Sequence, residues 1–357
     1  MELPLRPELR GVEPYGAPQL DVPVRLNVNE NPYPPGPAVV ADVARAVAEV
    51  TGTLNRYPDR EFTALREDLA AYLGHGVRAE QVWAANGSNE VMLQILQAFG
   101  GPGRVAVSFA PTYSMYPEYA RDAVTGWVVG RREDDFSLDV EHAVSVLKEH
   151  RPTVVLMPSP NNPTGTALPL ETVTALCAAA AEHHGVVVVD EAYGEFRRAG
   201  TPSALEVLER TPNLVVSRTM SKAFALAGAR LGYLAASTEI CDALRVVRLP
   251  YHLSAVTQAV ARVALSHADE LLARVDDLRS ERDRTVAWLR EQGLQVADSD
   301  ANYALFGTFA DRHAVWQGLL DRGVLVREVG PEGWLRVSIG TPEEMTSFKH
   351  ALTEVLP

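Results

Sequence analysis

Three short apolar runs in this chain each end next to polar side chains of a different chemical type. The residues and the runs they follow are Asn162 after Val154–Met157, Asp190 and Tyr193 after Val186–Val189, and Lys222 after Leu214–Ser217. Runs of this length are typical of buried strands in a parallel sheet. In open parallel sheets, ligands bind beyond the carboxyl ends of the strands. The spacing therefore predicts that an amide, a carboxylate, a phenol and an amine converge at one edge of one sheet.

This combination of side chains suits a pyridoxal 5′-phosphate (PLP) cofactor. A lysine such as Lys222 forms a Schiff base with the cofactor aldehyde, and the freed amine then moves the α-proton of an amino acid. A carboxylate such as Asp190 keeps the pyridine nitrogen protonated, so that the ring accepts electrons. Donors such as Asn162 and Tyr193 favour the ionised ring oxygen. The phosphate needs helix-terminal amides, hydroxyl groups and an arginine.

Other common cofactor and metal motifs are missing from the sequence. The glycines of Gly100-Gly101-Pro102-Gly103 precede a predicted strand, whereas a dinucleotide-binding loop follows one. There is no Walker motif, no HExxH and no GxSxG, and the nine histidines show no metal-ligand spacing. Hydride transfer, phosphoryl transfer and zinc hydrolysis therefore lack their usual residues, and we expect no metal site.

The composition excludes two classes of partner. The 357 residues include 46 acidic and 33 basic side chains, for a net charge of −13, which argues against nucleic acids and anionic membranes. The two cysteines, Cys177 and Cys241, stand in apolar surroundings, which predicts buried thiols in a reducing compartment. The first residues lack a signal-peptide pattern, and no apolar run approaches the about 18 residues of a membrane span. We therefore expect a cytoplasmic protein.

The order of the predicted elements indicates an α/β fold. Strands are predicted at Arg104–Val107, Val154–Met157, Val186–Val189, Leu214–Ser217 and Leu231–Ala235. Helical spacing of apolar residues appears at Pro37–Val50, Glu61–Leu73, Ser88–Phe99 and Leu170–His183. Because strands alternate with helices, we expect a mostly parallel central sheet with helices on both faces.

The pattern changes after about residue 260, which predicts a smaller α+β domain there. A long charged helix is expected over Ala268–Gln292, followed by a strand at Asn302–Phe309, a helix near Arg312–Arg322 and strands at Val324–Arg327 and Trp334–Ile339. We therefore divide the chain into an extended, Pro- and Gly-rich arm (1–36), a large domain (37–260) and a small domain (261–357). The charged run Arg131–Asp135 is interpreted as a solvated turn.

Seven short motifs, in the expected order, resemble the fold-type I aminotransferases, which use PLP, and more narrowly the histidinol-phosphate aminotransferases. The motifs that carry the broader resemblance are Asn162-Pro163-Thr164-Gly165, Asp190-Glu191-Ala192-Tyr193 and Ser221-Lys222 with Arg230. Those that carry the narrower one are Asn29-Glu30-Asn31-Pro32, Arg56-Tyr57-Pro58-Asp59, Pro111–Tyr116 and Arg336–Gly340. The resemblance extends from about Tyr15 to the C-terminal helix.

The resemblance implies a role for each matching residue. Lys222, Asp190 and Tyr193 would act in catalysis, with Lys222 as the Schiff-base lysine and Asp190 as the partner of the pyridine nitrogen. The residues implied to bind the cofactor are Ser88, Asn89, Tyr113, Asn162, Asp190, Tyr193, Thr219, Ser221, Lys222 and Arg230, together with Tyr57 of a neighbouring subunit. Tyr113 would stack on the ring, and Asn162 would bind the ring oxygen. The active unit would be a homodimer to which the arm also contributes.

Substrate recognition is implied at four positions. Arg336 would hold the acidic group of the substrate, because its guanidinium suits both carboxylate and phosphate. Tyr15, Asn89 and Tyr251 would frame the phosphate and the imidazole. One departure is visible: Gly87-Ser88-Asn89-Glu90 stands where the family often has Gly-Ala-Asp-Glu, which bears on specificity at that point.

The implied reaction is transamination between L-histidinol phosphate and 2-oxoglutarate, giving imidazole acetol phosphate and L-glutamate in histidine biosynthesis. Two alternatives use the same residues, an aromatic amino-acid aminotransferase and a PLP-dependent threonine-phosphate decarboxylase. A regulator with an aminotransferase-like domain would need a DNA-binding segment, and the sequence has no basic helix to supply one.

Overall fold

The structure, a computed structural model, describes residues 3–356. The strands among these residues, β1 to β12 in chain order, are Val24–Arg25, Val82–Ala85, Val105–Ala110, Gly126–Arg131, Val154–Pro158, Val186–Asp190, Leu214–Thr219, Gly232–Ala235, Gln295–Val296, Tyr303–Gly307, Val324–Leu325 and Leu335–Ser338. The α-helices, α1 to α12, are Pro37–Thr51, Thr63–Leu73, Ser88–Phe99, Tyr116–Asp122, Val140–His150, Leu170–Ala181, Thr238–Val247, Ala255–Ser266, Ala268–Leu272, Val275–Glu291, Arg312–Asp321 and Pro342–Val355.

A seven-stranded sheet forms the centre of the fold, in the order β2-β8-β7-β6-β5-β3-β4. The neighbours from β7 to β4 pair in parallel, whereas β8 is antiparallel to both β7 and β2. Every residue of β5, β6 and β7 is buried, because helices cover both faces of the sheet. The predicted α/β fold with a mostly parallel sheet is therefore confirmed.

Two smaller sheets lie outside the seven-stranded sheet. Strands β9, β10 and β12 form an antiparallel sheet, and β1 of the arm pairs in parallel with β11. Leu271 of α9 belongs to the core of the large sheet, whereas Val275 and Leu278 of α10 belong to a second core with β10, β12 and α12. This second core also includes side chains from earlier in the chain, namely Val24, Leu26, Tyr193, Phe196 and Ala223. The change of core thus lies between Leu271 and Val275, and the division at residue 260 stays a prediction.

One local prediction was wrong, and a second was wrong in part. The helix expected over Ala268–Gln292 is broken: Ala273 N bonds to Glu270 O, and the helical ladder restarts where Leu278 N bonds to Arg274 O. At the break, the Arg274 guanidinium lies 5.1 Å from the centre of the Tyr33 ring, so a contact with the arm accompanies the interruption.

The second concerns the charged run Arg131–Asp135. Arg131, Asp134 and Asp135 are exposed, and Asp134 and Asp135 lie in a turn as expected, but Arg132 is not solvated. Arg132 is buried and donates from Nε to Phe109 O (3.3 Å) and from Nη1 to Phe136 O (3.2 Å). These carbonyl partners come from elsewhere in the chain or from a local turn, which a run of charged residues in the sequence does not reveal.

Among residues 3–356, no helix has the length and apolar character to cross a bilayer.

Candidate active site

A cavity of about 260 Å³ lies beyond the carboxyl ends of β5, β6 and β7, between the central sheet and the antiparallel sheet of β9, β10 and β12. The structure brings twelve of the predicted site residues to its walls: Tyr15, Ser88, Asn89, Tyr113, Asn162, Asp190, Tyr193, Thr219, Ser221, Lys222, Arg230 and Arg336. Polar side chains that follow parallel strands meet there because those strands all end at one edge. Tyr57 and Tyr251 do not line this cavity.

Lys222 lies just after β7, in the cavity wall. Its Nζ donates to the carbonyl oxygen of Val28 at 2.9 Å and lies 6.0 Å from the centre of the Tyr193 ring. Removal from bulk solvent, and then the positive charge of Arg336, lower the pKa of Lys222 to about 8. A larger fraction of this amine is therefore neutral, and nucleophilic, near neutral pH than for an exposed lysine.

Asp190 ends β6 and points into the same cavity. Its Oδ1 accepts from Ser217 Oγ (2.9 Å) and from the backbone N–H of Ala192 (3.2 Å), and its Oδ2 accepts from Tyr116 Oη (3.1 Å). Burial raises the pKa of Asp190, although these three donors oppose the rise. Among residues 3–356, no basic side chain forms an ion pair with this carboxylate. A buried anion of this kind is suited to a cationic ligand group.

Arg336 and Asn162 form a second polar pair. Arg336 lies on β12 and donates from Nη1 to Asn162 Oδ1 (2.5 Å) and from Nη2 to Asn27 O (3.0 Å). Asn162 Oδ1 thus accepts from Arg336, whereas Asn162 Nδ2 donates to no atom within residues 3–356 and is available to a ligand in the cavity. The guanidinium is buried, its Nε has no hydrogen-bond partner, and burial lowers its pKa. Within the described part of the chain, no carboxylate pairs with it, which suits an anionic ligand.

Hydroxyl groups, backbone amides and Arg230 in the cavity wall form a cradle for an anion. Thr219 Oγ1 lies 3.1 Å from Ser221 Oγ, and Arg230 Nη1 lies 3.4 Å from the same oxygen. Ser88 and Asn89 begin α3, where the backbone N–H groups lack partners within the helix. Hydroxyls, helix-terminal amides and an arginine are the groups that bind phosphate.

Two glycines allow this cradle to close. At Gly87, φ is +83°, and a Cβ there would lie 2.5 Å from Arg230 Nη2. At Gly232, a Cβ would lie 2.1 Å from Ser88 N. Both distances are shorter than van der Waals contact. A larger residue at Gly87 would therefore displace the Arg230 guanidinium, and one at Gly232 would displace the start of α3 from β8.

Three tyrosines occupy other parts of the wall. Tyr113 is half-buried and packs edge-on against Tyr116, with ring centres 5.5 Å apart. Tyr15, which is 47% exposed, accepts a hydrogen bond from Ser114 Oγ (3.1 Å) at the mouth. Tyr193 accepts a hydrogen bond at Oη from Asn29 Nδ2 (2.9 Å).

Tyr57 and Tyr251 lie together on the surface instead. Their rings stack with centres 4.4 Å apart and planes 16° from parallel, and Tyr57 is 79% exposed. The neighbouring His252 packs inward: its Nε2 lies 2.9 Å from Ala84 O, and its ring stacks on Trp83. The structure therefore places His252 in a packing role.

The residues that line the cavity fall almost entirely within a region that matches a known protein family. Residues 22–352 match the family described as aminotransferase class I and II. The chain belongs to this family. The matched range contains the cavity wall from Asn27 to Arg336 and leaves out only Tyr15 and Ala17 of the lining residues. The protein is thus an aminotransferase.

Individual aminotransferases resemble this chain along nearly its whole length. Histidinol-phosphate aminotransferase of Thermobifida fusca is 65% identical over 351 residues, which cover 98% of this chain and 95% of the relative. The enzyme of the same name from Frankia casuarinae is 59% identical over 99% of this chain and 90% of the relative. Among solved structures, histidinol-phosphate aminotransferase of Sinorhizobium meliloti in complex with PLP superposes with a TM-score of 0.88 at 26% identity, covering 99% of this chain and 97% of the other. A mutant aspartate aminotransferase of Thermus thermophilus gives 0.83 at 25% identity, over 99% of both chains.

A buried ion network supports the aminotransferase site from behind. Glu191 follows Asp190, and its carboxylate accepts from Arg218 Nη2 (2.8 Å), Arg197 Nη1 (3.1 Å) and Ser203 Oγ (2.8 Å). Burial alone would raise the pKa of Glu191, but the charges of Arg218 and Arg197, together with hydrogen bonds from Ala204 N and Ser203, outweigh burial and lower it. Since Arg218 lies on β7 and Glu191 directly follows β6, the network ties together the strands that present Asp190 and Lys222.

Sequence reasoning missed the part that the arm plays in this aminotransferase. Asn27, Val28 and Asn29 all line the cavity, and each contacts a different predicted site residue: Arg336, Lys222 and Tyr193 respectively. Arg327 also lines the cavity and donates from Nη2 to Gly16 O at 3.3 Å. The motif beginning at Asn29 was a signal for this segment, but its contacts depend on tertiary structure.

Proposed function

We propose that this aminotransferase uses PLP to transfer an amino group between L-histidinol phosphate and 2-oxoglutarate, a step of histidine biosynthesis. One observation carries the proposal: Lys222, Asp190 and Arg336 line a single cavity in a chain 65% identical, over 98% of its length, to a histidinol-phosphate aminotransferase. Products would be imidazole acetol phosphate and L-glutamate.

The residues present fit PLP at three points. The unpaired buried carboxylate of Asp190 suits the protonated pyridine nitrogen, and the cradle around Ser221 and Arg230 suits the phosphate. The amide nitrogen of Asn162 and the phenol of Tyr193 suit the ring oxygen. When bound, the cofactor supplies an aldehyde and an electron-accepting ring. The remaining chemistry belongs to side chains of this protein.

Lys222 would first hold the cofactor and then move the substrate proton. Its lowered pKa, about 8, suits an amine that must be neutral to accept a proton near neutral pH. Val28 O, which accepts from its Nζ at 2.9 Å, keeps the amine at the cavity wall when it is free. Asp190 would hold the ring nitrogen in its protonated form from the depth of the cavity.

Arg336 would bind the acidic group of each substrate in turn. Replacing Arg336 with alanine is expected to lower kcat/KM for both glutamate and histidinol phosphate, because both anions would use one guanidinium. The loss of transition-state stabilisation should be roughly 2–4 kcal/mol for each substrate. Steady-state kinetics of the two half-reactions measure this loss. Arg131→Ala is a matched control, since Arg131 lies on β4 with a highly exposed side chain. A defect confined to one half-reaction would refute the shared arginine.

We also propose that the active unit is a homodimer in which Tyr57 contacts the cofactor phosphate of the partner. The support is its position: a 79% exposed tyrosine, stacked on Tyr251, that lies outside the cavity of its own chain. A two-fold axis presents the same loop to both sites.

The dimer proposal predicts complementation. Tyr57→Ala and Lys222→Ala, each poorly active at limiting PLP, would be unfolded and refolded together in equal amounts. About a quarter of all sites should regain activity, because half of the random dimers are mixed and one site in each mixed dimer is intact. If Tyr57 acts within its own chain, the mixture would show only the average activity of its parents.

One assay tests the proposed reaction against its alternatives. PLP-loaded protein is incubated with glutamate and either imidazole acetol phosphate or phenylpyruvate, and separately with threonine phosphate. Formation of histidinol phosphate at the highest kcat/KM supports the proposal. Preference for phenylpyruvate would indicate an aromatic aminotransferase, and release of CO₂ from threonine phosphate would indicate a decarboxylase.

A further inference from the structure

Asn29 of the arm is held in an unusual backbone conformation inside the active site. Its φ is +57°, in the left-handed region, and the residue is buried. Outside glycine, asparagine is among the residues most often found in this conformation. Its backbone carbonyl accepts from Asn302 Nδ2 at 3.2 Å, and its backbone N–H donates to Ser338 Oγ at 2.8 Å. The main chain is thus fixed from two sides.

The hydrogen bonds of Ser338 determine which way the Asn29 amide faces. Because Ser338 Oγ already accepts from Asn29 N, its own hydrogen is free to be donated to Asn29 Oδ1, at 3.0 Å. The Nδ2 group of the amide therefore faces Tyr193 Oη, at 2.9 Å. The reversed amide would place NH₂ against an oxygen that already accepts a hydrogen bond, leaving the serine hydrogen unpaired.

This orientation makes Tyr193 an acceptor toward Asn29. One lone pair of Tyr193 Oη is taken by the amide, and the phenol donates to no atom within residues 3–356. Tyr193 and Asn29 both line the cavity, so the unpaired phenol hydrogen is available to a ligand there. A reversed amide would instead attract that hydrogen to Asn29 Oδ1 and away from the ligand.

We propose that Asn29 is a positioning residue: held by Ser338, its amide fixes Tyr193 as a hydrogen-bond donor toward the ring oxygen of the bound cofactor. The inference rests on the proposed function, because it takes the ligand beside Tyr193 to be PLP. It assigns a role in the proton chemistry to the arm, more than 160 positions before Tyr193 in the chain.

Charged and titratable groups from several elements face Tyr193, so the effect must be separated from theirs. They are Lys222, Asp190, Arg336, Tyr15, Tyr113 and Tyr303. Burial raises the pKa of Tyr193, and the positive charge of Arg336 and the bond from Asn29 oppose the rise. The phenol therefore keeps its hydrogen at neutral pH and can donate it.

The test follows the pH titration of the visible absorbance in PLP-loaded protein, which reports the pKa of the cofactor-linked nitrogen of Lys222. A donor on the ring oxygen draws charge away from that nitrogen, so loss of the donor raises its pKa. Tyr193→Phe should raise it most. Asn29→Gly, in which glycine adopts the positive φ without strain, should raise it by roughly 0.5 unit or more, about a threefold change in the dissociation constant. Ser338→Ala should shift it in the same direction.

A double-mutant cycle separates positioning from a general structural effect. If Asn29 acts through Tyr193, adding Asn29→Gly to Tyr193→Phe should move the pKa by less than about 0.2 unit. Ser347→Ala, on the exposed face of α12, is the control for the serine change and should shift nothing. Equal shifts from Asn29→Gly in both backgrounds would overturn the proposal.

The same experiment distinguishes this inference from the function on which it rests. If the unsubstituted protein binds PLP without any titrating absorbance from a lysine linkage, the proposed function fails. If that absorbance titrates and Tyr193→Phe shifts it, but Asn29→Gly and Ser338→Ala do not, only the role of Asn29 is overturned. Ser338→Ala provides the test should Asn29→Gly not fold.

Discussion

Replacing Lys222 with alanine is expected to lower kcat by about 10³-fold or more, which corresponds to ~4 kcal/mol. The substitution removes both the amine that links to the cofactor and the base that moves the substrate proton. Asp190 cannot substitute for it, because Asp190 is buried against Ser217 and Tyr116 and faces the ring nitrogen in the proposed complex. Single-turnover amino transfer from glutamate measures the loss directly.

Controls for this prediction are available within the chain, which contains only three lysines: Lys148, Lys222 and Lys349. Lys148 is exposed near the end of α5, and Lys349 on α12 forms an ion pair with Glu281 at 3.2 Å. Alanine at either position should leave single-turnover rates within about twofold, since neither side chain lines the cavity. Wild-type rates in Lys222→Ala would show that another group does the chemistry.

Replacing Asp190 with asparagine should slow proton transfer by several kcal/mol, on the order of 10²- to 10³-fold, while PLP remains bound. The amide has the size of the carboxylate but cannot hold the pyridine nitrogen in its protonated form. The phosphate cradle of Ser221 and Arg230 is untouched, so cofactor occupancy should change little. Stopped-flow measurement of the half-reaction with glutamate, together with PLP content, tests both parts.

Asp139→Asn is the matched control for the charge change. Asp139 caps α5 by accepting from Glu141 N, and asparagine caps a helix equally well. This variant should retain normal kinetics. Normal turnover in a fully PLP-loaded Asp190→Asn protein would remove the assigned role, whereas loss of PLP from that variant would indicate a binding role instead.

The strand ends that carry the chemistry were predictable because their signals are local. Asn162, Asp190 and Lys222 each follow a continuous apolar run. Parallel strands bring the residues that follow them to one edge of the sheet, whatever the sequences of the connecting segments. The positions of Arg336 and Arg230 depended on the resemblance to known aminotransferases, since nothing in their immediate sequence distinguishes them from surface arginines.

Contacts between distant segments were not predictable from the sequence. Val28 reaches Lys222 across 194 positions, and Asn29 reaches Ser338 across 309. The burial of Arg132 depends likewise on the Phe109 carbonyl, 23 positions earlier. The periodicity of apolar residues shows only which face of a helix or strand is buried. These contacts depend instead on how the helices, the strands and the arm pack against one another in the folded chain. The surface position of Tyr57 is also a tertiary property, and its role in a dimer stays a prediction.

Chemical labelling of the lysine that holds the cofactor tests the central claim most directly. The protein is loaded with PLP, reduced with borohydride, digested and mapped by peptide mass. Because the chain has only three lysines, and Lys222 alone among them lines the cavity, the pyridoxyl group is expected on the peptide containing Lys222. A label on Lys148 or Lys349, or no label on a protein that binds PLP, would contradict the account.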